Sequence, residues 1–385
     1  MKQNYQLEIV TPVHIGSGVA LSHIDGYYAN GQWYCIDLER VLAHPSADLN
    51  ALTSEMGRRD FRWDHHLRQR NIDPAEVSVY SLSCPKSPEE VEIREAIKGI
   101  HDQPFIPGTT LKGAIRTALL GEIVSVSDKV YEKSRDHLNT LIERGSRGNP
   151  RREQPAHLIE TLAFGRDPNR DIFRALQVSD TGLLKSDALE IGMAWTMTIN
   201  QNNQLVQKID RGREYKNFVQ QIQAKQQLTF TLKIDDLLFR EREKERLGFN
   251  DLQQETLQDI AEVCRSATDQ LMRGERDFFS YYRLPEIANF YDKLISLNNT
   301  LLEGEFLLQI GWGAGYNANT VTALFTDDAE SPVDWMDLRE RFRLGESRSR
   351  RGAYDEREFP KTKRILYRGQ NPLAPLGWVK ISPTN

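Results

Sequence analysis

Lys112 and Arg116 stand four residues apart in Pro104-Phe-Ile-Pro-Gly-Thr-Thr-Leu-Lys-Gly-Ala-Ile-Arg116. In a helix that spacing puts both cations on one flank, off the apolar stripe formed by Leu111, Ala114, Ile115, Ala118 and Leu119. Pro107 and Gly108 lead in, and Thr109 or Thr110 can cap, which leaves unpaired N–H groups and a partial positive charge at the same end. Phosphate binding is therefore the chemistry predicted for Gly108, Thr109, Thr110, Lys112 and Arg116. Thr11-Pro-Val-His-Ile-Gly-Ser-Gly18 offers a second approach for an anion, because Gly16, Ser17 and Gly18 bring backbone amides forward with little side-chain obstruction. His14 in that run is of a type whose ordinary pKa lies near working pH, as a general base requires.

Other chemistries are poorly served. Gly108-Thr-Thr-Leu-Lys-Gly113 lacks the spacing of a P-loop, and Gly311-Trp-Gly-Ala-Gly-Tyr316 lacks the spacing of a dinucleotide fingerprint. No nucleotide cofactor is expected. Cys35, Cys84 and Cys264 are far apart and form no CxxC pair, which argues against a disulfide framework and a zinc knuckle and fits a reducing compartment. Of the eight histidines only His65 and His66 are adjacent, and no metal is expected.

The net charge of −5 speaks at first against a nucleic-acid partner. A phosphate, however, feels the side chains within a Debye length of about 8 Å and not the whole-molecule sum. Three segments are locally basic: 144–152, 341–351 and 361–368. No basic start precedes an apolar run and no stretch of eighteen apolar residues occurs, so a cytoplasmic protein without a membrane partner is expected.

The elements that must position these residues are mixed. Tyr5 to Val10 alternates polar and apolar residues and predicts a strand, and Asn30-Gly31 joins two short strand-like runs as a hairpin. Residues 48–70 and 89–98 read as mostly helical, and 109–122 is the clearest helix. Strands are predicted at 176–178, 189–199, 226–234, 306–310 and 377–381, with charged helices over 235–272 and 285–302. Without regular strand–helix alternation, the expected class is α+β. At 385 residues the chain suggests two domains, 1–184 and 185–385, divided near Leu184.

Taken together, these motifs resemble the RAMP superfamily of CRISPR proteins, and within it the Csm-type subunit that caps the guide-RNA 3′ end in type III-A effector complexes. The likeness covers nearly the whole chain. It rests on the 11–18 and 104–116 motifs, Phe173-Arg-Ala-Leu-Gln-Val-Ser-Asp180, the glycine turn at 311–315, and Phe359-Pro-Lys-Thr-Lys-Arg364 with Pro375-Leu-Gly-Trp378. Trp312 departs from the pattern, which more often has a small or basic residue there.

The resemblance implies two ferredoxin-like, RRM-like domains facing each other, with inserted helical segments and glycine-rich loops on the RNA backbone. It adds His14, Arg174, Gly311, Gly313, Gly315, Tyr316, Asn317, Lys361, Lys363 and Arg364 to the RNA-contact candidates. Trp312, Tyr316 and Tyr367, beside basic segments, are candidates for stacking on bases. The implied partners are guide RNA, target RNA, other Csm subunits and host 3′ exonucleases. Some relatives cut RNA, with a histidine base or with a loop aspartate and a divalent ion, for which His14 and Asp25 are the residues to weigh. A lone carboxylate is weak grounds for a magnesium site. The expected role is RNA binding without catalysis; the alternatives are an endoribonuclease that processes guide precursor and a target-cleaving backbone subunit.

Overall fold

In chain order the computed structural model opens with β1 (Lys2–Ile9), β2 (Gly16–Leu21), β3 (Gly26–Ala29) and β4 (Gln32–Ile36). Helices α1 (Leu38–Ala43), α2 (Leu49–Met56) and α3 (Trp63–Gln69) lead to β5 (Ser78–Ser83) and β6 (Ile93–Ala96). Three longer helices follow, α4 (Gly108–Val126), α5 (Asp128–Glu143) and α6 (Pro155–Phe164). Then come β7 (Leu176–Val178), β8 (Leu189–Ile199), β9 (Leu205–Gln207), β10 (Ile209–Asp210), β11 (Arg213–Glu214), β12 (Lys216–Ile222) and β13 (Gln227–Ile234). A second helical run comprises α7 (Glu241–Leu247), α8 (Asp251–Gln258), α9 (Ile260–Tyr281) and α10 (Pro285–Asn299), followed by β14 (Phe306–Gln309). The chain closes with α11 (Ala323–Thr326), α12 (Trp335–Phe342), β15 (Thr362–Arg368), β16 (Asn371–Pro375) and β17 (Trp378–Thr384). The structure describes residues 2–58, 60–88, 92–144, 155–210, 212–327, 332–346 and 359–384. Most of the basic segment 144–152 and much of 341–351 lie outside the described residues.

Two large sheets organise the chain. The first runs β14-β17-β1-β13-β7, antiparallel throughout. Taking β1, β7, β13 and β17 as first to fourth, their spatial order is 4-1-3-2, with α4 between the first and second and α9 and α10 between the third and fourth. Alternation explains which face is covered: Leu7 and Ile9 of β1, Leu228, Phe230 and Leu232 of β13 and Ile381 of β17 are buried, while Gln227 and Thr229 stay exposed. The helices supply the other half of that core through Leu111, Ile115 and Leu119 of α4 and Met272 and Phe279 of α9.

The second sheet runs β16-β15-β8-β12-β6-β2, with β9 paired to β8. Both large sheets draw strands from each side of Leu184, so the expected division into 1–184 and 185–385 does not separate them. The physical reason is that β1 finds its partners only at β13 and β17. Strand β3 pairs with β4, and β4 with β5. That small sheet and α1 to α3 form an inserted lobe with its own core of Val41, Leu52, Phe61, Trp63, Leu67, Ile72 and Val77. The helix expected over 89–98 is a second difference: Ile93–Ala96 is strand β6, paired to β2 and β12.

Candidate nucleic-acid interface

The α4 motif and the 171–180 segment are two halves of one internal lock. The Gly108 N–H donates to Asp180 Oδ1 at 2.7 Å, so a carboxylate of this chain takes the helix end where a phosphate was expected. A Cβ on Gly108 would collide with the carbonyl oxygens of Val178 and Ser179. Lys112 Nζ donates to the carbonyls of Phe173 and Leu176 at 2.8 and 2.6 Å, and burial pulls its pKa down. Arg116 pairs with Glu160 at 2.8 Å and Asp171 at 3.0 Å, its guanidinium lying over the rings of Phe164 and Phe173. Lys112 and Arg116 therefore direct these donors at groups of the chain itself. Thr109 is exposed and Thr110 half-buried in the first turn, and the exposed Arg174 bonds the Asn169 carbonyl at 3.0 Å.

His14 also turns into the protein. It is 2% exposed, its Nδ1 lies 2.6 Å from the Gln220 carbonyl, and burial lowers its pKa. The glycine turn closes over it: the Trp312 N–H donates to the His14 carbonyl at 2.9 Å, and Gly311 has a φ of +76° against the same oxygen. Gly313 packs on Leu376, and Gly315 is exposed with φ +72°. Tyr316 bonds Thr322 Oγ1 at 2.9 Å and sets its ring against Phe359. Asn317 and Lys363 both converge on Glu275 of α9, at 3.2 and 2.5 Å. Lys361 is half-buried just before β15. Tyr367 stacks on Trp195 with centroids 3.9 Å apart and is buried, so it belongs to the core and not to a stacking platform.

Arg364, by contrast, lies open to solvent on the outer face of the second sheet. Residues directly opposite across strands project on one face. By that rule Arg94 of β6, opposite Val219, and Arg364 of β15, opposite Thr196, share a face with Ala194, Asn217 and Leu366. Trp312 packs onto that floor, against the cluster of Ala194, Val219, Leu366 and Leu376. Two guanidiniums flank its ring, Arg364 at 4.1 Å and Arg94 at 5.3 Å, and Arg364 also bonds the Trp312 carbonyl at 2.9 Å. Both arginines are solvent-exposed, and neither has a carboxylate partner among the described residues. Partial burial and the charge of Arg94 both lower the pKa of Arg364.

Beside Arg94 the ladder between β2 and β6 slips between Gly16 and Ala20, so Ser17, Gly18 and Val19 bulge outward. Ser17 bonds Glu95 at 2.9 Å, and Gly18 adopts a φ of +91°. The sequence pointed to Gly16, Ser17, Gly18 and Arg364 here and missed Arg94. Its signal was the alternation of Val91 and Ile93 with charged neighbours, outweighed by a helical reading of the glutamates.

Asp25 accepts from the Ser22 N–H and hydroxyl at 2.6 and 2.9 Å and stabilises its own turn. Among the described residues no three His, Cys, Asp or Glu side chains are grouped to hold a metal, and no helix is long and apolar enough to cross a membrane.

The profile of the RAMP superfamily matches residues 6–318. The chain is 22% identical over 396 residues to the CRISPR system Cms protein Csm5 of Methanocaldococcus jannaschii, across 97% of this chain and 87% of that protein. It is 29% identical over 147 residues to the Csm5 protein of Streptococcus thermophilus, across 31% of this chain and 40% of that relative. Two solved structures share the fold. One is a chain of a cryo-EM Csm–crRNA–target RNA ternary complex in a type III-A CRISPR-Cas system, with TM-score 0.74, 23% identity, and 99% and 100% of the two chains covered. The other is the crystal structure of T. onnurineus Csm5, with TM-score 0.67, 20% identity, and 97% and 99% covered.

Proposed function

The chain belongs to the RAMP superfamily, and from that premise we propose that it is a non-catalytic RNA-binding subunit of a type III-A CRISPR effector complex. In this reading it holds the 3′ region of the guide RNA, beside other Csm subunits and the target RNA, and supports guide maturation with host 3′ exonucleases as visiting partners. The observation that carries the RNA-binding role is the exposed Arg94–Trp312–Arg364 cluster. Two arginines without carboxylate partners among the described residues, held by one aromatic ring, are pre-organised for phosphates. The ring and the adjacent Ser17–Val19 bulge suit a single strand whose bases are unstacked. The 4-1-3-2 order of the first sheet is ferredoxin-like connectivity, and we read the seven-stranded sheet as its divergent, facing counterpart. A non-catalytic role is supported by the setting of His14, the residue weighed as a general base: it is 2% exposed and burial lowers its pKa.

The test is the salt dependence of single-stranded RNA binding by the full chain. Each phosphate contact contributes about 0.7 to the slope of log affinity against log salt, so Arg94→Ala with Arg364→Ala should flatten it by roughly 1.4. A double variant that keeps the wild-type slope and affinity would refute the interface. Sequencing the guide RNA from complexes with and without the chain checks the rest: unchanged 3′ ends would remove the capping role. Incubation with guide precursor and target RNA, with magnesium and with EDTA, should leave both uncut.

A further inference from the structure

The same sheet face continues beyond Arg364. Strand β8 is flanked on one side by β15 and on the other by β12 and β9. Arg364 lies opposite Thr196, and the register that pairs Lys216 with Trp195 puts Tyr215 opposite Thr196 on the far side, where the Thr196 N–H donates to the Tyr215 carbonyl at 3.3 Å. Arg364, Thr196 and Tyr215 thus form one cross-strand row, and two strand spacings separate Arg364 from Tyr215 by about 10 Å. Between β9 and β12 the chain leaves the sheet as the β10–β11 hairpin, departing at Lys208 and returning at Tyr215, whose N–H donates to the Lys208 carbonyl at 2.8 Å. The Lys208 ammonium sits 5.3 Å from the centroid of the Tyr215 ring and has no carboxylate partner among the described residues. Tyr215 is 41% exposed, and Ile209, one residue past Lys208, is 66% exposed. A half-open aromatic ring with a lone cation on it, in register with an exposed arginine, is unexplained by packing: the neighbouring Trp195 and Tyr367 meet each other on the opposite face instead.

We propose that Tyr215 and Lys208 form a base-stacking subsite for single-stranded RNA, downstream of the arginine pair on the same face. The proposal rests on the RNA-binding reading given above. A nucleobase takes the place of the ammonium on the Tyr215 ring, and Lys208 turns to an adjacent phosphate. Because every base has a π-face, the subsite tolerates any sequence.

The experiment measures binding of labelled poly-uridine and of an all-abasic strand of equal length to the full chain. Loss of one stacked base by Tyr215→Ala should weaken binding to the uridine strand by roughly 5- to 150-fold. Tyr215→Phe should bind within about twofold of wild type, whereas Tyr215→Leu, which restores apolar bulk but no π-face, should not recover affinity. On the abasic strand Tyr215→Ala and wild type should bind alike, and Lys208→Ala should flatten the salt slope by about 0.7. Recovery in Tyr215→Leu, or an equal loss on the abasic strand, would overturn stacking. If Tyr215→Ala binds as wild type while the Arg94 and Arg364 variant is impaired, the subsite fails and the RNA-binding reading stands. If neither variant loses affinity, the RNA-binding reading fails and takes the subsite with it.

Discussion

Replacing Lys112 by methionine keeps the length of the side chain and removes only the ammonium. The structure assigns that ammonium two bonds, to the carbonyls of Phe173 and Leu176. Hydrogen bonds from a charged donor contribute about 1.5–3 kcal/mol each. Lys112 is only half-buried, however, and water can reach part of the vacated space. The net cost for the pair should therefore be near that of a single such bond, about 1.5–3 kcal/mol. Loosening 171–180 also frees Asp180 from the α4 N-terminus, so Lys112→Met and Asp180→Ala should cost less together than the sum of their single costs. The assay is denaturant unfolding of the full chain, followed by fluorescence, beside the salt dependence of RNA binding on the same samples. The expected result is a lower unfolding midpoint with an unchanged salt slope. The reverse, unaltered stability with a slope flattened by about 0.7, would show that Lys112 serves RNA and that the lock is incidental.

Three further outcomes follow from the same contacts. The pKa of His14 is lowered by burial from the ordinary 6.5, so its contribution to stability is present above that value and is lost as pH falls toward and through the folded value. Between pH 7.5 and 5.5 wild type should lose stability relative to His14→Asn, and parallel curves would refute the point. Lys363→Met leaves the buried Glu275 carboxylate without its ammonium and should cost about 3 kcal/mol, largely regained in the double variant with Glu275→Gln, as chemical denaturation will report. Gly311→Ala meets the His14 carbonyl in a left-handed conformation and should lower the thermal midpoint by several degrees; an unchanged melting curve would contradict that geometry.

Elements with a clear period were legible in the sequence. The apolar stripe from Leu111 to Leu119 became α4, and the alternation in residues 5–10 and 226–234 became β1 and β13. The side chains on those elements were harder to place. A lysine beside a glycine-led helix start looks the same in sequence whether it faces phosphate or reaches a carbonyl 61 residues away, because the partner is chosen by tertiary approach. For the same reason Lys363, in a basic run, turned inward to a glutamate on α9, while Arg364 beside it pointed out, as strand alternation requires. That both large sheets take strands from each side of Leu184 could not be read from the sequence, because local patterning says nothing about which strands will meet.

Strand β1 lies at the centre of its sheet, between β13 and β17, with Asn4 opposite Thr384. During synthesis its outer neighbour on one side emerges only after the whole interval from Ile9 to Trp378 has been made, roughly 20–70 s later at about 5–20 residues per second. For that time an alternating strand with Leu7 and Ile9 on its apolar side waits without a complete sheet, open to holdase chaperones and to mispairing. Refolding of the isolated chain should be slow for the same reason, since the most separated contacts close last. The adjacency of β1 and β17 also makes a circular permutant feasible, with residues 4 and 384 bridged by a short loop and new ends opened between α10 and β14, which would let β17 and β1 emerge as a hairpin.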